Sequence, residues 1–219
     1  MKLLMIRKLH GRIRDALRER KLKYFLNRKR RELKNKDFSL ISNNCIAGII
    51  YHDLNLKFLT PTINLWIPSE YYIIFLFNLK EAISAEIYEE SNTDKPYPVG
   101  YITLQSQEKI QIHFMHYKSF KEAKTKWDER KRRINWNNLF ILFEVGKSTI
   151  PQIIDEFLNL PYKHKIAITD KSYSDSLEIK SLELYDDEYI NGKILLYKPY
   201  PYDYKRYLDD FDYVQWLNE

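Results

Sequence analysis

The sequence predicts an α/β fold: a layered domain with a mixed, largely parallel sheet flanked by helices, preceded by a basic N-terminal helix. Three observations carry that reading. Apolar runs of strand length alternate with stretches of helical spacing, in the order strand, helix, extended piece, helix, strand, strand, helix, strand, helix, strand. Some of the short runs, Leu139-Phe140-Ile141-Leu142-Phe143-Glu144 above all, are apolar almost throughout, the pattern of a buried strand. Charge also divides the chain. Residues 1–36 hold 15 Lys/Arg against 3 Asp/Glu, and residues 37–219 hold 21 against 27, so a basic arm precedes one mildly acidic domain.

Composition narrows the class further. A single cysteine, Cys45, excludes an internal disulfide framework and a zinc site built on several thiolates, and makes a reducing cytoplasm the expected setting. No run of 18 apolar residues spans a membrane, and the opening MKLLMIRKLHGRIR lacks the apolar core of a signal peptide. The 18 Tyr and 11 Phe suit ligands that want an apolar ring beside a hydroxyl, although a biased composition rich in Tyr, Asn, Lys and Ile is the better supported explanation.

In residues 1–36, Leu3, Ile6, Leu9, Ile13 and Leu17 recur at helical spacing among arginines. This arm either packs its stripe on the domain, lies on an anionic membrane surface, or, least favoured, binds nucleic acid. Phe38-Ser39-Leu40-Ile41 reads as a strand, Ser42-Asn43-Asn44 as a polar loop, and Cys45 to Leu56 as a helix. That order places a loop at a strand's carboxyl end beside a helix N-terminus, where open α/β sheets hold ligands. Gly48, in the first turn of the helix, is unfavourable there unless a strand, a neighbouring backbone or a ligand phosphate approaches closely, and a lone glycine is a weak signal of any of them. From Phe58 to Ile67 the chain reads as extended, with Thr62, Asn64 and Trp66 on one side. A buried helix then runs from a Ser69 cap through Tyr71–Leu79 to about Glu89, followed by a polar loop over 91–98.

Tyr97–Leu104 and Lys109–Tyr117 pair as strands around a polar turn. Alternation puts Ile110, Ile112, Phe114 and His116 on one face, so His116 ends the apolar side at the strand's carboxyl end. There it suits a general base or a phosphate ligand, or a hydrogen-bonded core-edge histidine. Ser119-Phe120-Lys121-Glu122 is a capping box. The helix behind it carries Phe120, Ala123, Trp127, Arg130 and Ile134 on one face, and a buried-side arginine wants a carboxylate or phosphate. Strands follow at 139–144 and 164–169 with a helix at about 149–158 between them, and Asp170 stands at the second strand's carboxyl end. Residues 177–184 and 193–197 read as short strands, and 208–217 as a closing helix.

Four segments together resemble a known bacterial family, the domain-of-unknown-function proteins grouped with exopolysaccharide biosynthesis. They are FSLISNNCIAGIIYHDLNLKFLTPTINL (38–65), YPVGYI (97–102), HYKSFKEAKTKWDERKRRINWNNLFIL (116–142) and DFDYVQWLN (210–218). The resemblance covers everything after the basic arm. Its motif positions are Ser42, Asn43, Asn44, Cys45, Gly48, Tyr51, Pro61, Thr62, Asn64, His116, Tyr117, Arg130, Arg133, Asn135, Trp136 and Asn138. Ile46-Ala47 stands where the family is expected to carry a bulkier or Gly-containing pair.

The resemblance implies a link to capsule or exopolysaccharide synthesis. The expectation is a cytoplasmic protein, peripheral on the inner membrane face through residues 1–36, that transfers a sugar from a nucleotide-linked or lipid-linked diphosphate donor. His116 or Asp170 is the expected base, and Arg130 and Arg133 the expected diphosphate ligands. Ser42, Asn43, Asn44, Gly48, Tyr51, Thr62, Asn64, Tyr117, Asn135 and Asn138 complete the expected substrate-binding set. No cofactor or metal is expected, since the acidic pairs Asp186-Asp187 and Asp209-Asp210 lie in the tail. The competing expectation is a non-catalytic binding or scaffold protein of the same pathway. A weaker one is group transfer on Cys45.

Overall fold

In the computed structural model, residues 2–146, 149–169, 174–182 and 193–219 are described, 2–10 and 193 for their backbone alone. Four parallel strands form the central sheet: β1 (Ser39–Ser42), β5 (Leu139–Glu144), β6 (His164–Thr169) and β7 (Ile179–Ser181), side by side in that order. Ser39 to Ser42 face Leu139 to Leu142, and Phe140 to Glu144 face His164 to Ile168. Three further strands, β2 (Tyr88–Glu89), β3 (Val99–Thr103) and β4 (Lys109–His113), make a separate antiparallel sheet. The α/β class and the largely parallel sheet follow the expectation, with the antiparallel strands standing apart.

Period-two alternation along the parallel strands builds two cores. Ile41, Ile141, Phe143 and Ala167 face α3 (Ser69–Phe77), α4 (Leu79–Ser84), α5 (Phe120–Lys131), α6 (Pro151–Leu158) and the antiparallel sheet. Leu40, Phe140, Leu142, Ile166 and Ile168 face α2 (Ile46–Leu54) and the C-terminal residues Tyr207 to Leu217. Each fully buried Leu, Ile or Phe contributes about 1.5–3 kcal/mol, so both faces of the sheet matter to stability.

The N-terminal helix α1 (Lys2–Glu32) is held at its second half. Phe25, Lys29 and Leu33 are buried, and Lys29 donates to Asp209 at 2.5 Å. The Asn218 amide oxygen accepts from the Lys34 and Asn35 N–H groups, tying the two ends of the chain together.

Some elements differ from the sequence expectation. The helix expected from Ser69 to about Glu89 breaks at Asn78, whose side chain donates to the Ile74 carbonyl at 3.0 Å and competes with the backbone ladder. Beyond α4 the chain enters β2. Pro68, not Ser69, is the N-cap, and the Ser69 hydroxyl bonds that of Thr149 at 2.9 Å. Residues 193–195 form a 3₁₀ turn rather than a strand. The closing helix is split into a 3₁₀ turn at Tyr207–Asp210 and α7 (Tyr213–Leu217), which Asp212 caps by accepting from the Gln215 N–H at 3.1 Å. No helix among the described residues is long and apolar enough to cross a membrane.

Candidate functional site

β1 is an edge strand, and its free backbone groups are met by hydroxyls. The Tyr51 hydroxyl donates to the Phe38 carbonyl at 2.8 Å and accepts from the Leu40 N–H at 3.1 Å. The Thr62 hydroxyl accepts from the Ser42 N–H at 3.3 Å, and the Ser39 hydroxyl donates to the Leu59 carbonyl at 2.7 Å. Residues 59–62 therefore run along β1 as a substitute neighbour. Tyr51 and Thr62 do the work of closing the edge.

The polar loop beyond β1 is occupied in the same way. The Ser42 hydroxyl donates to the Asn44 carbonyl at 2.7 Å and accepts from the Ala47 N–H at 3.2 Å. The Asn43 side chain exchanges two 3.0 Å hydrogen bonds with the backbone of Glu144, continuing the β1–β5 pairing one step past the strand. Asn44 accepts from the Ile46 N–H at 3.0 Å and donates to the Glu144 carboxylate. Glu144 is buried at the carboxyl end of β5, beneath this loop. Gly48 packs beside Ile63, whose side chain would lie 3.4 Å from an added Cβ, an ordinary van der Waals distance, so the close approach the sequence suggested does not itself require a glycine here.

A cleft of about 500 Å³ opens beside this loop, lined by Asn44, Cys45, Ile49, Leu65, Trp66, Tyr97, Met115, His116 and Leu195. Its volume is that of a small-ligand site, and its walls are apolar and aromatic with a few polar groups. No Lys or Arg lines it among the described residues. Trp66 is carried in by its backbone bridge to His113, with N–H to carbonyl distances of 2.8 Å in both directions. The His113 ring lies between the two cleft aromatics, its centroid 4.7 Å from that of Trp66 and 5.9 Å from that of Tyr97. It is buried, its Nε2 is 3.0 Å from the Gln111 amide oxygen, and its Nδ1 has no partner among the described residues. Burial, assisted by Lys95, lowers its pKa and keeps the ring neutral.

His116 reaches the cleft by a route other than alternation. β4 ends at His113, and a turn over 115–116 shifts the phase by one, so Tyr117 enters the core while His116 is exposed at the cleft wall. The expected placement on the face of Ile110 and Ile112 is therefore corrected. The extended piece differs likewise. Thr62 is buried, while Asn64, at φ 60°, is exposed beside the cleft, so the two do not share a side. The Asn64 carbonyl accepts from the His116 N–H at 3.4 Å.

The two arginines stand apart from the cleft lining. Arg130 is buried, as its stripe predicts, yet its partner is a phenol. It donates to the Tyr117 hydroxyl at 2.7 Å and lies 5.1 Å from the centre of the Phe58 ring. Tyr117 passes that hydrogen bond on to the Ile63 carbonyl at 2.9 Å. Arg133 pairs with Glu129 and donates to the Phe58 carbonyl. Asn135 and Asn138 lie at the opposite, amino end of the sheet. Both donate to the Asp37 carbonyl at 2.9 Å, which fixes the chain entering β1. Asp170 lies outside the described residues.

Cys45 touches the cleft with its thiol pushed up to about 11 by burial and by the negative charge of Glu144, so it stays protonated near neutral pH. Among the described residues, no group of three or more His, Cys, Asp or Glu is placed to hold a metal ion. The sequence reading missed Tyr97, His113, Met115, Leu195 and Glu144. Only Trp66 carried a signal, as an aromatic on an otherwise polar side of an extended piece.

A model of the domain of unknown function DUF1919 matches residues 17–218. An uncharacterized protein of Haemophilus influenzae is 32% identical over 207 residues, covering 94% of this chain and 96% of that protein.

Proposed function

From the premise that the chain belongs to the DUF1919 family, we propose that it is a carbohydrate-handling protein of envelope polysaccharide assembly, peripheral on the inner membrane face, that transfers a sugar from a diphosphate-activated donor. The observation that carries this reading is the cleft lining: two aromatic side chains, Trp66 and Tyr97, beside Asn44 and His116. Aromatic faces pack on the C–H face of a pyranose while a few polar groups meet its hydroxyls. His116 is the base that takes the proton of the acceptor hydroxyl. The acceptor oxygen bonds to the anomeric carbon as the bond to the diphosphate breaks. The apolar walls suit the hydrocarbon chain of a lipid-linked donor, while the diphosphate common to both donor types meets no Lys or Arg in the lining among the described residues.

A second reading is a non-catalytic sugar-binding protein of the same pathway. It is favoured by the internal hydrogen bonds that occupy Ser42, Asn43 and Asn44. A thermal-shift screen against sugars, nucleotide sugars and polyprenyl-diphosphate sugars tests both. A ligand at 100 times its Kd stabilises by about 2.7 kcal/mol, a shift of several degrees. Trp66→Ala should abolish the shift. His116→Gln should keep it while removing release of polyprenyl diphosphate. A shift without turnover in the parent protein leaves the binding reading, and no shift with any sugar removes both.

A further inference from the structure

The N-terminal helix has two faces, and the domain uses one. Phe25, Lys29 and Leu33, spaced four apart, are buried against the body, where Lys29 also meets the Tyr213 ring at 3.7 Å. Ile13, Leu17 and Tyr24 belong to another stripe. At 3.6 residues per turn they fall within roughly 40° of one another, and roughly 140° around the helix from the packed face. They are 49%, 53% and 67% exposed. Arg20 and Arg31 share this outer stripe, both exposed, with Arg28 at its border. Asp15 and Glu19 fall on the far side of the helix.

We infer that this outer stripe is a docking surface for an anionic lipid bilayer. The helix lies in the headgroup region with Ile13, Leu17 and Tyr24 turned into the acyl boundary. The occupant is argued from charge and apolarity together. A band of Arg alone would suit any polyanion, but exposed Ile and Leu between cations gain nothing from a phosphodiester backbone and are what an interfacial helix inserts. The length supports it: Ile13 to Tyr24 spans about 16 Å along the axis. Because Phe25, Lys29 and Leu33 hold the same helix to the body, docking fixes the domain at the surface rather than tethering it loosely.

This inference rests on the peripheral placement proposed above and is independent of what the cleft holds. The test is co-sedimentation of the full chain with vesicles of phosphatidylcholine containing a quarter phosphatidylglycerol, and with pure phosphatidylcholine, at 0.1 M salt. Binding should require the anionic lipid. It should weaken at least tenfold in Ile13→Ser/Leu17→Ser and by roughly fivefold for each of Arg20→Gln and Arg31→Gln, with unfolding midpoints unchanged because all four residues are exposed. Anionic binding that these variants leave untouched overturns the stripe but not the peripheral placement. No binding to anionic vesicles overturns both, and sugar-induced stabilisation through Trp66 would survive either result. Binding to a short DNA duplex that is stronger than vesicle binding and unaffected by Ile13→Ser/Leu17→Ser assigns the face to nucleic acid and also overturns the inference.

Discussion

Single side chains in this protein often stand in for backbone. The Tyr51 hydroxyl supplies the donor and the acceptor that a missing neighbouring strand would give to Phe38 and Leu40. Tyr51→Phe keeps the ring, stacked on Phe38 at 5.2 Å, and strands a buried N–H and carbonyl. It should cost about 1–3 kcal/mol, read as a lowered urea midpoint at unchanged slope. The extended piece marked Thr62 and the family resemblance marked Tyr51, but no periodicity distinguishes a hydroxyl that serves a sugar from one that closes a strand edge.

His113 illustrates the same limit, since nothing in its alternation shows that it sits between two aromatic rings. Its pKa is lowered in the fold, whereas in the unfolded chain it titrates near 6.5. Below about that pH the unfolded state binds a proton that the folded state resists. His113 therefore makes stability fall as pH drops through this range, until the lowered folded value is passed. Melting temperatures at pH 7.5 and 5.0 should differ less in His113→Gln than in the parent. His164, lowered by burial and Lys163, leaves a residual slope of the same sign.

At the scale of elements, β1, β5 and β6 were legible because their apolar runs are bounded by polar residues. Helix α5 was legible because Ser119 caps it, accepting from the Glu122 N–H at 3.2 Å, while the other half of the expected capping box is replaced: the Glu122 carboxylate accepts from the Lys118 N–H at 3.3 Å. Boundaries set by tertiary contacts were not legible. The turn after Phe114 depends on neighbours distant in sequence, Ile63 and Asn64, whereas the break at Asn78 is made by a local bond to Ile74 that periodicity does not register. The docking of α1, whose buried positions include a lysine, also depends on distant neighbours. The side chains of Lys29 and Asp209 are 7% and 3% exposed, and burial lowers the Lys29 pKa against the pull of Asp209. Removing one partner of a buried pair leaves the other uncompensated. Lys29→Ala should cost about 3 kcal/mol by urea unfolding, while Lys29→Met/Asp209→Leu should recover part of that loss, the double-mutant signature of a coupled pair.

At the scale of the molecule, the parallel sheet is finished by the last residues of the chain. Leu208, Phe211, Tyr213, Val214, Trp216 and Leu217 are buried against the face formed by Leu40, Phe140, Leu142, Ile166 and Ile168. At about 1.5–3 kcal/mol for each large side chain, the segment contributes on the order of 10 kcal/mol, comparable with the whole stability of a domain. Residues 12–17 of α1 have no such role, since they are exposed throughout. The two ends of the chain should therefore behave oppositely when trimmed. Deleting residues 207–219 should abolish the cooperative unfolding transition, because a hydrophobic sheet face and the Lys29 site open together. Deleting residues 1–17 should leave the urea midpoint within about 0.5 kcal/mol of the parent while removing Ile13 and Leu17 from the outer stripe. Calorimetry of the two deletions checks this. A cooperative transition without residues 207–219 would mean that the other face of the sheet carries the fold alone. A large loss on removing 1–17 would mean that the exposed half of α1 is part of the body.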